Sequence, residues 1–176
     1  MHNLFTPECT DRVIVFDTET SGLGNGSRIL EFTAISVEKN RPVDQISTLV
    51  HSVDYISPRA TAIHGIDISA LQGQPSPRQV YPILRSFIGN SPVVGHNVVF
   101  DKNKLNYELW LLGMPPLTTE TFCTLALSRK KLPHLPNHKL KTVYEHLLGK
   151  GEYAAHRSWG DVMMTIAIYL CLKDQL

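Results

Sequence analysis

The sequence predicts an α/β fold: a mixed five-stranded sheet, an antiparallel three-strand meander plus parallel strands, flanked by helices. Three observations carry that expectation. The first part of the chain holds three strand-like segments whose connections are too short for crossover helices, so they should pair antiparallel. After them, segments of helical period alternate with short β-branched runs. No repeat, low-complexity stretch or linker breaks the 176 residues, so a single domain should span 1–176 with its core at about 12–172.

Residues 12–17 form the first strand, on the run Val13, Ile14, Val15, Phe16. A turn with Gly22, Gly24 and Gly26 leads to the second at 28–37, and the third follows at 43–51. Pro58 to Ala70 is irregular or briefly helical. Pro75 and Pro77 open a helix with Val80, Ile83, Leu84, Phe87 and Ile88 at i, i+3, i+4, i+7, i+8 spacing. Val93 and Val94 form a short buried strand. A helix from about Phe100 to Leu112 stops before Gly113, Pro115 and Pro116. A strand near 121–123 runs into a helix at 125–131. The loop 133–137 precedes helices near 140–148 and 159–172.

Hydrophobic residues make up 43% and charged residues 19%, as in ordinary soluble domains. A net charge of +1 argues against a protein that coats nucleic acid through bulk charge, but leaves room for a local basic track. No apolar stretch approaches the ~20 residues that span a bilayer. The first residues show neither the basic nor the apolar region of a secretory signal. Cys9, Cys123 and Cys171 are odd in number and widely spaced, which suits reduced thiols in a cytoplasmic protein. Gly22-x-Gly24-x-Gly26 is no dinucleotide loop, because a strand rather than a helix follows it. His134 and His138 have helical spacing, but Pro136 between them argues against a zinc pair.

The sharpest signal is Asp17-Thr18-Glu19 at the end of the first strand. Side chains two apart on a strand point to one side. Two carboxylates so close repel unless a cation lies between them, and a divalent metal ion is the usual solution. Asp101 lies where the short strand at 93–94 gives way to a helix, a common place for functional side chains. Asp161 opens the last helix, five residues after His156. Taken singly, Asp161 is ordinarily an acid favoured by the helix dipole and His156 an ordinary loop histidine.

Together, Asp17-x-Glu19, Asn97-x-x-Phe100-Asp101 and His156-x4-Asp161 resemble the DEDDh exonucleases, the DnaQ-like group that includes polymerase proofreading domains and oligonucleotide-trimming RNases. The likeness covers about Arg12 to Leu172. Histidine five before the last acid, with Arg157 where a sister group carries tyrosine, points to the histidine branch. Ser158 stands where family members often have alanine, a small-for-small change. The resemblance implies an RNase H-like fold and 3′-to-5′ hydrolysis of phosphodiester bonds, releasing nucleoside monophosphates. It implies two Mg²⁺ or Mn²⁺ ions, with Asp17 shared between them, Glu19 and Asp161 on one, and Asp101 on the other. His156 would take a proton from the attacking water.

The resemblance extends to Ala60 through Ile66, where His64 could stack on the last base; a surface loop with Ile63 in the core is the alternative. Thr20 and Leu23 could line the 3′-end pocket, with Phe100 beside them, though Leu23 equally suits the core. Asn97 could bond near the scissile phosphate or brace its own turn. Arg129, Lys130, Lys131, Lys139, Lys141 and Lys150 face Glu145 alone over 129–150; a solvated helix face is the ordinary explanation and a backbone track the functional one. The expected partner is the 3′ end of a single strand, DNA rather than RNA, with a polymerase or a second copy as a possible protein partner. The chain ending just after its last helix favours an independent enzyme or an excised catalytic domain. Alternatives are an RNA-trimming enzyme, an RNase H-type endonuclease, and a catalytically weak nucleic-acid-binding or polymerase-docking module. Clustered acids that repel phosphate argue against the last.

Overall fold

A computed structural model of the chain describes residues 12–150 and 157–173. The elements are β1 (Arg12–Thr20), β2 (Ile29–Glu38), β3 (Arg41–Leu49), α1 (Pro58–His64), α2 (Ile68–Leu71), α3 (Pro77–Ile88), β4 (Val93–Gly95), α4 (Val98–Leu111), β5 (Thr121–Cys123), α5 (Thr124–Lys131), α6 (Leu140–Leu148) and α7 (Ser158–Leu172). The five strands form one mixed sheet in the order β3-β2-β1-β4-β5. The first three pair antiparallel, while β4 runs parallel to β1 and β5 parallel to β4. This is the predicted sheet.

Strand alternation splits the core into two layers. Ile14 and Phe16 of β1 pack with Phe32, Tyr81, Leu84 and Leu105, on the side of α3 and α4. Val13 and Val15 pack with Ile35, Val37, Val162 and Ile166, on the side of α7. By the same alternation Asp17 and Glu19 share the α7 side, and Thr18 turns to the α4 side. β2 is buried along all but its last residue, whereas the edge strand β3 is mostly exposed.

Several boundaries differ from expectation. β1 continues to Thr20, so Asp17 and Glu19 lie within the strand rather than at its end; pairing with β2 carries it on to a register shift between Glu19 and Thr20. The stretch expected to be irregular or briefly helical holds two short helices. Ser57 caps the first and Gly65, at φ 73°, closes it; Asp67 caps the second. On α3, Ile83 is 61% exposed and Tyr81 is buried instead. The buried arc centres on Val80, Leu84 and Ile88, and Ile83 falls at its flank. α4 begins at Val98, so Asp101 sits in its first turn. The approach to that helix is tight. A Cβ on Gly95 would lie 3.0 Å from the Val98 side chain and 3.2 Å from the Phe16 carbonyl oxygen, a gap that suits glycine. Among the described residues, no helix is long and apolar enough to cross a membrane.

Candidate active site

β1 supplies the first two acids and α7 the third. One carboxylate oxygen from each of Asp17, Glu19 and Asp161 lies within 4.8 Å of the other two. Asp161 reaches them because Val162 and Ile166 seat α7 against Val13 and Val15. Asp101 arrives from α4 and is buried. Its Oδ1 accepts from the Thr18 hydroxyl (2.7 Å) and the Thr18 backbone N–H (3.1 Å). Thr18 therefore ties the fourth acid to the strand that bears the first two. His156 lies outside the described residues.

The acids burden one another. Burial raises the pKa of Asp17 well above the usual carboxylate range, and repulsion from Asp101, Asp161 and Glu19 adds to it. Burial also lifts Glu19 to about 8, helped by Asp161, Glu31 and Asp101 and partly offset by Arg157. Asp101 is pushed up to about 7 by burial, against the pull of its Thr18 hydrogen bonds. Among the described residues, no salt bridge reaches Asp17, Glu19 or Asp101. A donor set of carboxylate oxygens fits a hard divalent cation.

A cavity of about 320 Å³ opens beside Glu19, lined by Thr20, Leu23, Ser57, Ile63, His64 and Phe100 among others. Leu23 is 77% exposed and Ile63 is exposed as well, so neither belongs to the core. His64 is buried rather than on a surface loop. Its Nδ1 accepts from the Ile66 N–H (3.0 Å), which leaves Nε2–H to face the Thr20 carbonyl oxygen (3.3 Å). Both ring nitrogens are thus engaged, and burial holds its pKa below the usual histidine value. Asn97 is exposed, has the left-handed φ of 83°, and does not line this cavity.

Sequence reasoning missed three features. Arg59 stands exposed in the cavity lining, and the pattern Ser57-Pro58-Arg59, a helix start, could have flagged it. The second is Thr18, whose place between the two acids is its only mark in the sequence. The third is the Glu31 bridge beside the site. Glu31 accepts from Arg157 Nη2 (2.5 Å) and Nε (3.1 Å), and from the Ser158 N–H (2.9 Å) and hydroxyl (3.1 Å). The Ser158 oxygen also lies 2.8 Å from the Thr33 hydroxyl, so this serine is in use and not merely tolerated.

An RNase H-like sheet carrying an acid cluster on its central strand defines a class of nucleases. Within that class the chain belongs to the exonuclease family: the family described as Exonuclease (RNase T) matches residues 14–169, and the chain is a DnaQ-like 3′–5′ exonuclease domain. It is 30% identical over 164 residues to the DNA polymerase III subunit epsilon of Aquifex aeolicus, covering 93% of this chain and 81% of that protein. It is 33% identical over 166 residues to the DNA polymerase III PolC-type of Thermotoga petrophila, covering 93% of this chain but only 12% of that much longer protein. Among solved structures, Exonuclease X in complex with 5′-overhanging duplex DNA superposes with a TM-score of 0.72 at 27% identity, over 93% of this chain and 92% of that one. E. coli exonuclease I bound to single-stranded DNA shares the fold, with a TM-score of 0.81 at 19% identity over 94% of this chain and 41% of that one.

Proposed function

We propose that this domain removes nucleoside monophosphates from the 3′ end of DNA, in the cytoplasm, as a proofreading or end-trimming nuclease. The observation that carries the reading is the gathering of Asp17, Glu19 and Asp161 within 4.8 Å, with Asp101 held beside them through Thr18. The epsilon and PolC relatives support DNA as substrate and a polymerase as partner.

Asp17, Glu19 and Asp161 would hold one Mg²⁺ or Mn²⁺ ion, and Asp17 with Asp101 a second. Two such ions, when bound, stabilise charge on the attacking and leaving oxygens of the phosphodiester. The chain's own groups do the rest. The cavity beside Glu19 receives the terminal nucleotide, with the apolar faces of Leu23, Ile63 and Phe100 offered to base and sugar. His64, fixed at both nitrogens, braces the Thr20 end of that cavity. Asn97 stands at the start of α4, where its amide would meet the substrate backbone. His156 accepts the proton of the attacking water; an unperturbed histidine, with a pKa near ~6.5, is largely neutral at cellular pH.

Single-stranded DNA labelled at its 3′ end and incubated with Mg²⁺ tests the proposal. The label should appear first as a mononucleotide and disappear from solution products when EDTA replaces Mg²⁺. Internal cuts would replace this reading with an endonuclease, and binding without cleavage with a docking module. A matched RNA strand run in parallel sets the sugar preference.

A further inference from the structure

β4 ends at the same edge of the molecule as the acids of β1. Val94 lies beside Val15 in the parallel register and β4 ends at Gly95, so the turn that begins with His96 opens at the same end of the sheet as Asp17. Gly95 pairs with Cys123, which puts Thr124 level with His96 one strand further on. A shallow depression opens there, lined by His96, Leu125 and Arg129 on one side and by the turn Asn137, His138 and Lys139 on the other.

Hydrogen bonds pin that turn. His96 Nε2–H donates to the His138 carbonyl (2.8 Å), and His96 Nδ1 meets the Thr124 hydroxyl (2.9 Å). The Ser128 hydroxyl lies 3.2 Å from His138 Nδ1. Thr124 and Ser128 are buried, so the anchor is internal. Asn137 Oδ1 accepts from the Lys139 N–H (3.1 Å) and the Thr142 hydroxyl (2.8 Å), leaving its amide nitrogen as a donor. The fixed turn thus carries Lys139 and the Asn137 amide beside Arg129.

Among the described residues, no acid lines the depression. Arg129 and Lys139 are exposed, and among the described residues neither has a carboxylate partner. Lys141, two residues on, lies 3.9 Å from Glu145. A solvated helix face spaces its cations among acids. Here two cations are gathered without one, at the same end of the sheet as a cluster of carboxylates that repels phosphate.

We propose that this depression binds the phosphodiester backbone of the substrate strand, with Arg129 and Lys139 on a phosphate to the 5′ side of the bond being cut. The inference rests on the nuclease reading above. A strand whose 3′ end lies at the acids carries its remaining phosphates upstream, where this depression can meet one. The guanidinium fork matches a phosphate bidentately, and the lysine adds charge. Such contacts position a strand without reading its sequence, as removal of any 3′ nucleotide requires.

The test is anisotropy of a 5′-fluorescein single-stranded oligonucleotide bound by the full chain, in EDTA, across a salt series. Arg129→Ala and Lys139→Ala should each weaken binding several-fold at low salt and reduce the slope of log affinity against log salt by about 0.7. Lys39→Glu, on the hairpin at the opposite end of β1, should change neither. Both target side chains are exposed, so circular dichroism should match the parent. An Arg129→Ala/Lys139→Ala double variant that keeps the parent slope overturns the proposal, as does a parent whose binding does not depend on salt. Failure of the nuclease reading shows separately, as no mononucleotide released with Mg²⁺.

Discussion

Glu19 and Glu31 stand directly opposite each other across β1 and β2, yet they are held in opposite ways. Like charges facing across a sheet destabilise it. Glu31 resolves its share with a private cation: burial alone would raise its pKa, but Arg157 and Ser158 outweigh burial and bring it below the usual glutamate value. Glu108, 1% exposed, likewise has its own cation: Arg28 donates through Nη2 (2.7 Å) and Nε (2.9 Å), and the Ile29 N–H adds a third bond. Among the described residues Glu19 and Asp17 have no such partner, and their pKa values climb. The difference teaches how to sort buried acids. One that brings its own arginine maintains the fold; one left without a cation waits for a ligand that supplies it.

Removing a waiting acid should cost activity and not stability. Asp17→Asn should lower kcat by roughly 10³-fold or more, beyond the 10–100-fold typical of residues that only support a metal ligand. Its melting temperature in EDTA should equal or exceed the parent's, because one repelling charge has gone. A lower melting temperature in EDTA would mean that Asp17 has a structural partner after all. His156→Ala should slow single-turnover cleavage by about 10²–10⁴-fold while Mg²⁺ still raises the melting temperature. Parent-rate cleavage would remove His156 from the mechanism.

Removing a private cation should do the reverse. Arg28→Ala leaves Glu108 buried with one hydrogen bond and should cost about 2–3 kcal/mol in urea unfolding, less than for a fully buried pair because Arg28 is partly open to water. Arg157→Ala should cost less, about 1–2 kcal/mol, since Ser158 still donates twice to Glu31. Stability unchanged by both would erase the distinction.

The smallest effect is on pH dependence. Glu19 and Asp101 have folded pKa values of about 8 and about 7, against ordinary values near 4 in the unfolded chain. The folded state therefore holds more protons than the unfolded one across that window, so their contribution to metal-free stability is lost as pH rises from about 4 to about 8. Glu31 has the opposite sign, its contribution fading only as pH falls through its lowered pKa. Calorimetry should show Mg²⁺ raising the melting temperature more at pH 8 than at pH 6.

Most of the sheet was legible because its strands are short β-branched runs and its turns are marked by glycine and proline. The acids were legible because three motifs stand in order. Packing was not. That Tyr81 and not Ile83 enters the core depends on where α3 meets the sheet, a rotation that helical period alone leaves free. The Glu31–Arg157 bridge joins residues 126 apart, and no local pattern marks either partner. The sorting of Lys139 from Lys141 likewise depends on Glu145 reaching one and not the other.

The seating of α7 has a consequence for the newborn chain. Asp17 and Glu19 leave the ribosome well before Asp161. Until α7 docks on β1 and β2 there is no three-acid cluster to capture an ion. A polypeptide whose α7 is still untranslated thus lacks the third acid of the cluster.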